Sequence, residues 1–204
     1  MVLILCALSF SLSSNLDNVV IGIAYGIKKV RIDIIANLII AIVTSTATFL
    51  SMLVGSYISK LLPHSVANSL GAIVIIILGL YFVTQSIIKL VNNNKSKELA
   101  LKNITDMIEY AEKSDLDSSG DISMNEALLI ALGLTFNNLG TGIAASITGV
   151  SIQFTVLSTF ILSILAIIFG VAAGNHVVGK FLGKYAPLFS GILLILLGII
   201  EFIN

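Results

Sequence analysis

Long apolar runs alternate with short polar segments along this chain, and this pattern predicts its secondary structure. A helix needs about 20 mostly apolar residues to cross the hydrocarbon core of a bilayer. The stretch 73–80 is apolar at every position, which favours helices over the alternating strands of a membrane barrel. We therefore predict six transmembrane helices, at roughly 3–27, 33–59, 66–91, 126–148, 152–179 and 187–203.

Composition narrows the class of protein. Hydrophobic residues make up 57% of the chain and charged residues only 11%, where a soluble domain has about 25% charged residues. The formal charge is zero, so no basic surplus is available for nucleic-acid phosphates. The single cysteine, Cys6, excludes an internal disulfide and a Cys-rich zinc site. No H-E-x-x-H or nucleophile–histidine pattern indicates an enzyme. The expected surroundings are a lipid bilayer, with no nucleic-acid partner.

The distribution of Lys and Arg predicts the orientation. Loops on one side of the predicted spans carry ten Lys or Arg residues, and the other side carries Lys60 alone. Basic residues accumulate in cytoplasmic loops. We therefore expect a multi-pass plasma-membrane protein whose loops after spans 1, 3 and 5 are cytoplasmic and whose termini are both outside. The first apolar run has no basic n-region and no A-x-A-like site, so we expect a span there and not a signal peptide.

The two halves of the chain resemble each other. Residues 15–26 read NLDNVVIGIAYG and residues 135–146 read TFNNLGTGIAAS, so an offset of 120 pairs Asp17 with Asn137 and Asn18 with Asn138. Apolar helices look alike by composition, but the matched Asn and Gly positions favour a true repeat. Each half holds three spans, an odd number, so the second half must be inverted in the membrane. The predicted fold is an all-α membrane protein of six transmembrane helices as two inverted three-helix repeats, 1–91 and 126–204, joined by an acidic cytoplasmic linker, 92–125.

Asp17 is the only acidic residue deep inside a predicted span. It lies 14 residues after Leu3, or about 21 Å along a helix. A charge at that depth costs at least about 2.5–3.5 kcal/mol, so such a residue is usually functional. The alternative is a neutral Asp that hydrogen-bonds to a neighbouring helix.

Amide and hydroxyl groups accompany Asp17 at a similar depth. Carboxylate, amide and hydroxyl oxygens are the ligands that hard divalent cations prefer. Inverted repeats are typical of secondary transporters, which bind substrate near the midplane. The alternative for the hydroxyls is a bond back to their own helix. The predicted substrate-binding set is Asp17, Asn18, Asn137, Asn138, Thr44, Ser45 and Thr48.

The linker contains a second candidate metal site. The spacing over 115–126 matches an EF-hand calcium loop, with Gly120 at the turn position. The alternative is a turn whose Ser123 and Glu126 form a capping box for the next span. No cofactor is required, but Ca²⁺ or Mn²⁺ could bind there, and metal on Glu126 could then bias the helix that carries Asn137. The candidate ligands are Asp115, Asp117, Ser119, Asp121, Ser123 and Glu126.

Two segments carry a resemblance to a known family. NLDNVVIGIAYGIKKVRI (15–32) and FNNLGTGIAASITGV (136–150) resemble the paired central motifs of the MntP-type manganese efflux pumps, which belong with the LysE-like exporters. Residues 25–32 and 115–129 resemble more closely the YtaF branch of sporulation membrane proteins. The resemblance implies a Mn²⁺-like divalent cation efflux transporter, and proteins of this size and type often form homodimers.

The chain departs from the pattern that this resemblance implies. The family has an acidic residue in both central motifs and another in span 2, whereas this chain has Asn137 and only hydroxyls there. A single carboxylate neutralises a divalent cation poorly in a low dielectric. No G-x-x-x-x-G-K-[ST] motif supports an ATP-driven pump. Proton exchange through Asp17 is one coupling mechanism. The alternative function is a non-transporting sporulation membrane protein that acts as a scaffold or a metal-responsive sensor.

Overall fold

A computed structural model describes residues 2–61, 63–94, 115–116, 119–174, 185, 188–189, 191–196, 198–200 and 202. All regular structure in these residues is helical, apart from one isolated bridge between Arg31 and Asp121. This confirms the predicted all-α class. The helices are α1 (Val2–Ser14), α2 (Leu16–Lys28), α3 (Ile34–Lys60), α4 (His64–Asn94), α5 (Met124–Ile147), α6 (Ile152–Gly174) and α7 (Gly191–Ile200).

Several of these helices are long and apolar enough to cross a membrane. By length and composition, three candidate spans are Cys6–Lys28, Ile34–Lys60 and Ile152–Gly174. The bent helix α5 is a fourth if it counts as one span. Two shorter apolar helical segments lie in the third and sixth predicted spans. They are Ala72–Ile88, within α4, and Gly191–Ile200, which is α7. The count of six spans stays a prediction.

Two predicted spans are interrupted near their polar residues. The first consists of α1 and α2, which are separated by the turn residue Asn15. The fourth is α5, whose axis bends by 47° between Met124–Thr135 and Asn138–Ile147. Asn15 and Thr135 are 120 residues apart, which is the offset of the predicted sequence repeat.

Helix α3 exposes large apolar side chains on one face and buries polar side chains, together with apolar ones such as Ile40 and Met52, on the other. On α3, Leu38, Ile42 and Leu50 are exposed, whereas Thr44 and Ser51 are buried. In water this would leave a large apolar surface uncovered and polar groups desolvated. The arrangement fits a helix whose outer face contacts lipid and whose inner face carries the polar groups.

Small residues bring two helix pairs into close contact. A Cβ added at Gly22 of α2 would lie 2.7 Å from the carbonyl oxygen of Ile167 and 3.0 Å from Gly170 Cα, both on α6. Gly26 approaches Gly174 of α6 as closely. Gly22 and Gly26 form a G-x-x-x-G motif, and its role here is the close packing of two helices, which is common in membrane proteins.

The second close pair is α3 with α5. A Cβ added at Gly142 of α5 would overlap Ser51 Oγ of α3. A Cβ added at Gly55 of α3 would overlap the carbonyl oxygen of Ile143 and lie 3.0 Å from Ser146 Cβ. The first span of each sequence half thus packs on the second span of the other half.

Candidate cation site at the helix breaks

Asn15 occupies the break between α1 and α2. Its Nδ2 group donates to the carbonyl oxygen of Ser11, at 2.7 Å, and more weakly to that of Thr159, at 3.4 Å. Its Oδ1 accepts a hydrogen bond from Asn18 Nδ2 at 2.9 Å. The side chain therefore satisfies a helix-end carbonyl group and joins both half-helices to α6, which fixes the position of the break.

Asn18 lies one turn further along, on the buried face of α2. Only 1% of the residue is exposed. Its Nδ2 group donates to Asn15 Oδ1 and, at 2.8 Å, to Ser163 Oγ of α6. Its Oδ1 atom is buried and accepts no hydrogen bond. The amide NH₂ group is thus occupied by hydrogen bonds to neighbouring side chains, and the amide oxygen is available to a ligand.

The predicted hydroxyl groups lie on the same inner face of α3. Thr44, Ser45 and Thr48 are buried, and each donates to a carbonyl oxygen on its own helix at 2.8–3.1 Å. Thr44 Oγ1 also lies 3.4 Å from Ser163 Oγ. Back-bonding is therefore present, as the alternative interpretation expected. It occupies the hydroxyl hydrogen and leaves lone pairs on the oxygen, so these groups can still serve as ligands.

Asn138 follows the bend in α5 and is also only 1% exposed. Its Oδ1 atom is buried and accepts no hydrogen bond. Its main-chain carbonyl oxygen accepts bonds from Thr141 Oγ1, at 3.3 Å, and from Ser51 Oγ, at 3.5 Å. The neighbouring Asn137 belongs to α5, but its side chain lies outside the described residues.

Asp17 lies in the first turn of α2. Its side chain is partly buried, and its Oδ1 accepts a 2.8 Å bond from the main-chain N–H of Asn18. A negative charge is stabilised at a helix N-terminus, because the unpaired N–H groups there carry partial positive charge. The break thus gives a reason why a carboxylate is tolerated at this depth. Asp17 is less enclosed than the amides beside it.

The predicted EF-hand-like loop docks against the α2–α3 connection. The main-chain N–H of Arg31 donates to the carbonyl oxygen of Gly120, and that of Ile122 donates to the carbonyl oxygen of Arg31, both at 2.9 Å. A cavity of about 870 Å³ lies between the two segments. Its charged lining residues are Lys29, Arg31, Asp33 and Asp121.

The carboxylates of this loop bind backbone N–H groups. Asp115 accepts from Ser119 and Gly120, each at 3.0 Å. Glu126 accepts from Leu116 at 2.6 Å and from Ser123 at 2.8 Å, and the predicted capping box is present. Gly120 has a φ of +81°, which the turn position of the motif requires.

Metal binding by the loop stays a prediction. No group of three or more His, Cys, Asp or Glu side chains in the described part of the chain is arranged to hold a metal ion. Asp117, one of the predicted ligands, lies outside that part.

A model of the MntP family, with the description "Putative manganese efflux pump", matches residues 98–201. "Probable sporulation protein YtaF" of Bacillus subtilis is 30% identical over 202 residues, covering 94% of this chain and 96% of the relative. The chain belongs to the MntP family.

Other MntP-family relatives align along nearly the whole chain. "Putative manganese efflux pump MntP" of Bacillus mycoides is 25% identical over 195 residues, covering 96% of this chain and 92% of the relative. The protein of the same name in Bacillus thuringiensis is 24% identical with the same coverage. No solved structure gives a significant match.

Sequence reasoning did not include several buried polar residues that join α1 to α5 and to α6. Ser14 Oγ lies 3.0 Å from Thr141 Oγ1, so α1 and α5 are joined directly. Ser11 Oγ donates to the carbonyl oxygen of Thr155 and accepts from Thr159 Oγ1, which joins α1 to α6. Single hydroxyls in an apolar run carry little signal. Among these residues only Thr141 lies in one of the two matched motifs. The offset of 120 pairs it with Ile21, so a hydroxyl replaces an apolar side chain at that position of the repeat.

Proposed function

We propose that this protein exports Mn²⁺ or a similar divalent cation from the cell through a site at the two helix breaks. The observation that carries the proposal is a pair of amide oxygens, Asn18 Oδ1 and Asn138 Oδ1. Both are buried and accept no hydrogen bond, and they are 120 residues apart. A buried polar atom without a partner costs about 1–3 kcal/mol, and a cation would compensate that cost. The names of the manganese pumps among the relatives agree with such a substrate.

The proposed architecture is six spans in two inverted three-helix repeats. Two matched features support it. The turn residue Asn15, within the candidate span Cys6–Lys28, and the 47° bend that follows Thr135 lie at matching positions under the offset of 120. The contact of Gly22 with Gly170 and that of Gly142 with Ser51 are equivalent within one residue. In transporters built this way, interrupted helices at the repeat interface form the ion site.

Asp17 supplies the one carboxylate of the proposed site. It would bind the cation together with the amide oxygens and the hydroxyls of α3, and it would exchange the cation for a proton. Asn137, where the resemblance implies a second acid, leaves one positive charge of a divalent ion without a compensating group. We therefore expect weaker cation binding than a site with two carboxylates would give.

The proposed orientation follows the distribution of basic residues. The loops after spans 1, 3 and 5 would lie in the cytoplasm, with both termini outside. The 870 Å³ cavity beside Arg31 would then open to the cytoplasm, where it could admit the cation. The homodimer that the resemblance implies stays a prediction.

Cation flux into proteoliposomes tests this function. Purified protein is reconstituted with a metal-sensitive dye inside, and Mn²⁺, Ca²⁺, Mg²⁺ and Cd²⁺ are added in turn, with and without a pH gradient. We expect Mn²⁺ flux that falls by about tenfold or more in Asp17→Asn, since the only carboxylate is lost, and similarly in Asn18→Ala and Asn138→Ala. Gln153→Ala is the control, because Gln153 is exposed in the first turn of α6 and belongs to neither candidate metal site. Equal flux in all four variants would contradict the proposed site.

A scaffold or metal-responsive sensor is the second candidate function. The replacement of the second acid by Asn137 favours it, and the printed name of the Bacillus subtilis relative refers to sporulation and not to transport. Absence of flux for every ion, with folded protein in the vesicles, would support this function and overturn the export proposal.

A further inference from the structure

Asn37, on the first turns of α3, has the same divided hydrogen bonding as Asn18. It is 6% exposed. Its Nδ2 group donates to the carbonyl oxygen of Ile164 on α6 at 3.2 Å. Its Oδ1 atom is buried and accepts no hydrogen bond. Neither the sequence pattern nor the resemblance assigns a role to this residue.

The two amides are held by neighbouring residues of α6. Asn18 Nδ2 donates to Ser163 Oγ at 2.8 Å, and Asn37 donates to the main chain of the next residue, Ile164. Consecutive residues of a helix are about 3.8 Å apart at their Cα atoms. One turn of α6 therefore positions an amide from α2 and an amide from α3, each with its oxygen unoccupied.

Joining the helices does not by itself require this arrangement. Thr44, two turns further along α3, lies within bonding distance of Ser163 Oγ, and its hydroxyl donates to its own helix. A hydroxyl therefore joins α3 to α6 without leaving a carbonyl oxygen unsatisfied. An amide at position 37 adds one feature that a hydroxyl lacks, which is a strong carbonyl-type acceptor of the kind that coordinates hard divalent cations.

We infer that Asn37 Oδ1 is a further ligand for the divalent cation, on the same path as Asn18. This inference rests on the proposed function, because it assumes that a cation enters the polar interior of the bundle. On this path the cation would meet the amide oxygens of Asn37 and Asn18, which α6 supports, and that of Asn138 at a different point, because Ser51, the α3 residue bonded to Asn138, lies 14 residues beyond Asn37. Asn37 would then influence both the affinity for the cation and its selection.

The test measures Mn²⁺ binding directly, by electron paramagnetic resonance of the detergent-purified full chain, alongside flux in proteoliposomes. Asn37→Leu removes the oxygen at similar size, and we expect the dissociation constant to rise by about fivefold to tenfold. Asn37→Asp loses the bond to Ile164 but places a carboxylate at the same position, and because its charge outweighs one neutral hydrogen bond we expect the dissociation constant to fall by about fivefold or more. A purely structural residue would not respond to these two changes in opposite directions. Gln153→Glu, which adds the same charge at an exposed position in the first turn of α6, is the control.

The outcomes separate this inference from the proposed function. Mn²⁺ binding that Asn18→Ala weakens and both Asn37 variants leave unchanged would overturn the inference and leave the export proposal standing. Mn²⁺ binding without flux would overturn export, and the opposite shifts of the two Asn37 variants would still support the inference. Absence of both binding and flux in the wild-type protein would overturn both.

Discussion

At the scale of single residues, the buried asparagines combine packing with candidate chemistry. Each amide has two hydrogens and one carbonyl-type oxygen. In Asn18 and Asn37 the amide group donates across helices, and the oxygen accepts nothing. An aspartate could not donate these bonds when ionised, and a serine would offer a weaker acceptor. Asparagine is therefore suited to hold helices together while its buried oxygen stays without a hydrogen-bond donor, as the proposed cation site requires.

Glu126 has two candidate roles, as the capping residue of α5 and as a metal ligand, and one substitution can separate them. Its oxygens accept the N–H groups of Leu116 and Ser123, but each has a second lone pair that a metal ion could use. In Glu126→Gln one oxygen becomes an NH₂ group that faces a backbone donor. We expect the first turn of α5 to lose about 1–3 kcal/mol locally. Hydrogen exchange at Leu116 or Ser123 should accelerate accordingly.

Added Ca²⁺ tests the second role of Glu126 in the same experiment. If the loop at 115–126 binds metal, Ca²⁺ should slow exchange in the wild-type protein and in the control Asp33→Asn, an exposed acid on the adjacent connection. It should have no effect in Glu126→Gln. The same response to Ca²⁺ in all three proteins would mean that Glu126 is a capping residue and not a ligand.

The helix interruptions belong to the scale of elements, and hydropathy alone does not reveal them. The apolar run continues on both sides of Asn15, so residues 3–27 appear as one continuous span. The break depends on a side-chain bond, from Asn15 Nδ2 to the carbonyl oxygen of Ser11, and on packing against α6. Hydropathy predicts the length and class of these helices because the hydrocarbon thickness of a bilayer sets how many apolar residues a span needs. It does not predict which of several asparagines interrupts that helix.

Glycine contacts between helices give a prediction at the same scale. Gly22→Ala would place a Cβ 2.7 Å from the carbonyl oxygen of Ile167, so α2 and α6 must separate. We expect the protein to lose about 1–3 kcal/mol of stability, as overpacked sites do. Gly140→Ala is the matched control, because an added Cβ there meets nothing within 4 Å. On α5 it should raise stability by about 0.5–1 kcal/mol.

Unfolding of the two glycine variants in detergent, followed by circular dichroism, would measure the difference between them. A lower midpoint for Gly22→Ala and an unchanged or higher midpoint for Gly140→Ala are expected. Equal midpoints would mean that the close approach of α2 to α6 does not contribute to stability.

At the scale of the whole molecule, the sequence predicts a repeat but does not predict which helices pack together. Matched motifs at 15–26 and 135–146 indicate two related halves. They do not say that α2 packs on α6 and that α5 packs on α3, because apolar helices have similar faces toward lipid and toward each other. That pairing depends on Gly170 and Ser51, two small residues that are 119 positions apart and that hydropathy does not distinguish.

If the two halves are inverted, as proposed, the side of the membrane on which each loop lies can be predicted. One or more loops of each half can then be labelled to test this. Single cysteines are introduced in a Cys6→Ala background at Lys60, Ser119 and Gln153, all of which are exposed positions outside or at the ends of helices. If the halves are inverted, Lys60→Cys and Gln153→Cys should react with a membrane-impermeant maleimide in intact cells. Ser119→Cys should react only after permeabilisation. Both expectations follow from an excess of basic residues on the cytoplasmic side.

The three positions together distinguish inversion from simple orientation. If only Ser119→Cys is labelled in intact cells, the orientation is the reverse of the proposed one. The inverted relation would still hold, since positions 60 and 153 would lie on the same side. Labelling of positions 60 and 153 from opposite sides would contradict inversion itself. The site would then lose its pseudo-twofold relation, and Asn18 and Asn138 would no longer occupy equivalent places at a shared interface. The sidedness of two loops therefore bears directly on whether the two buried amide oxygens belong to one cation site.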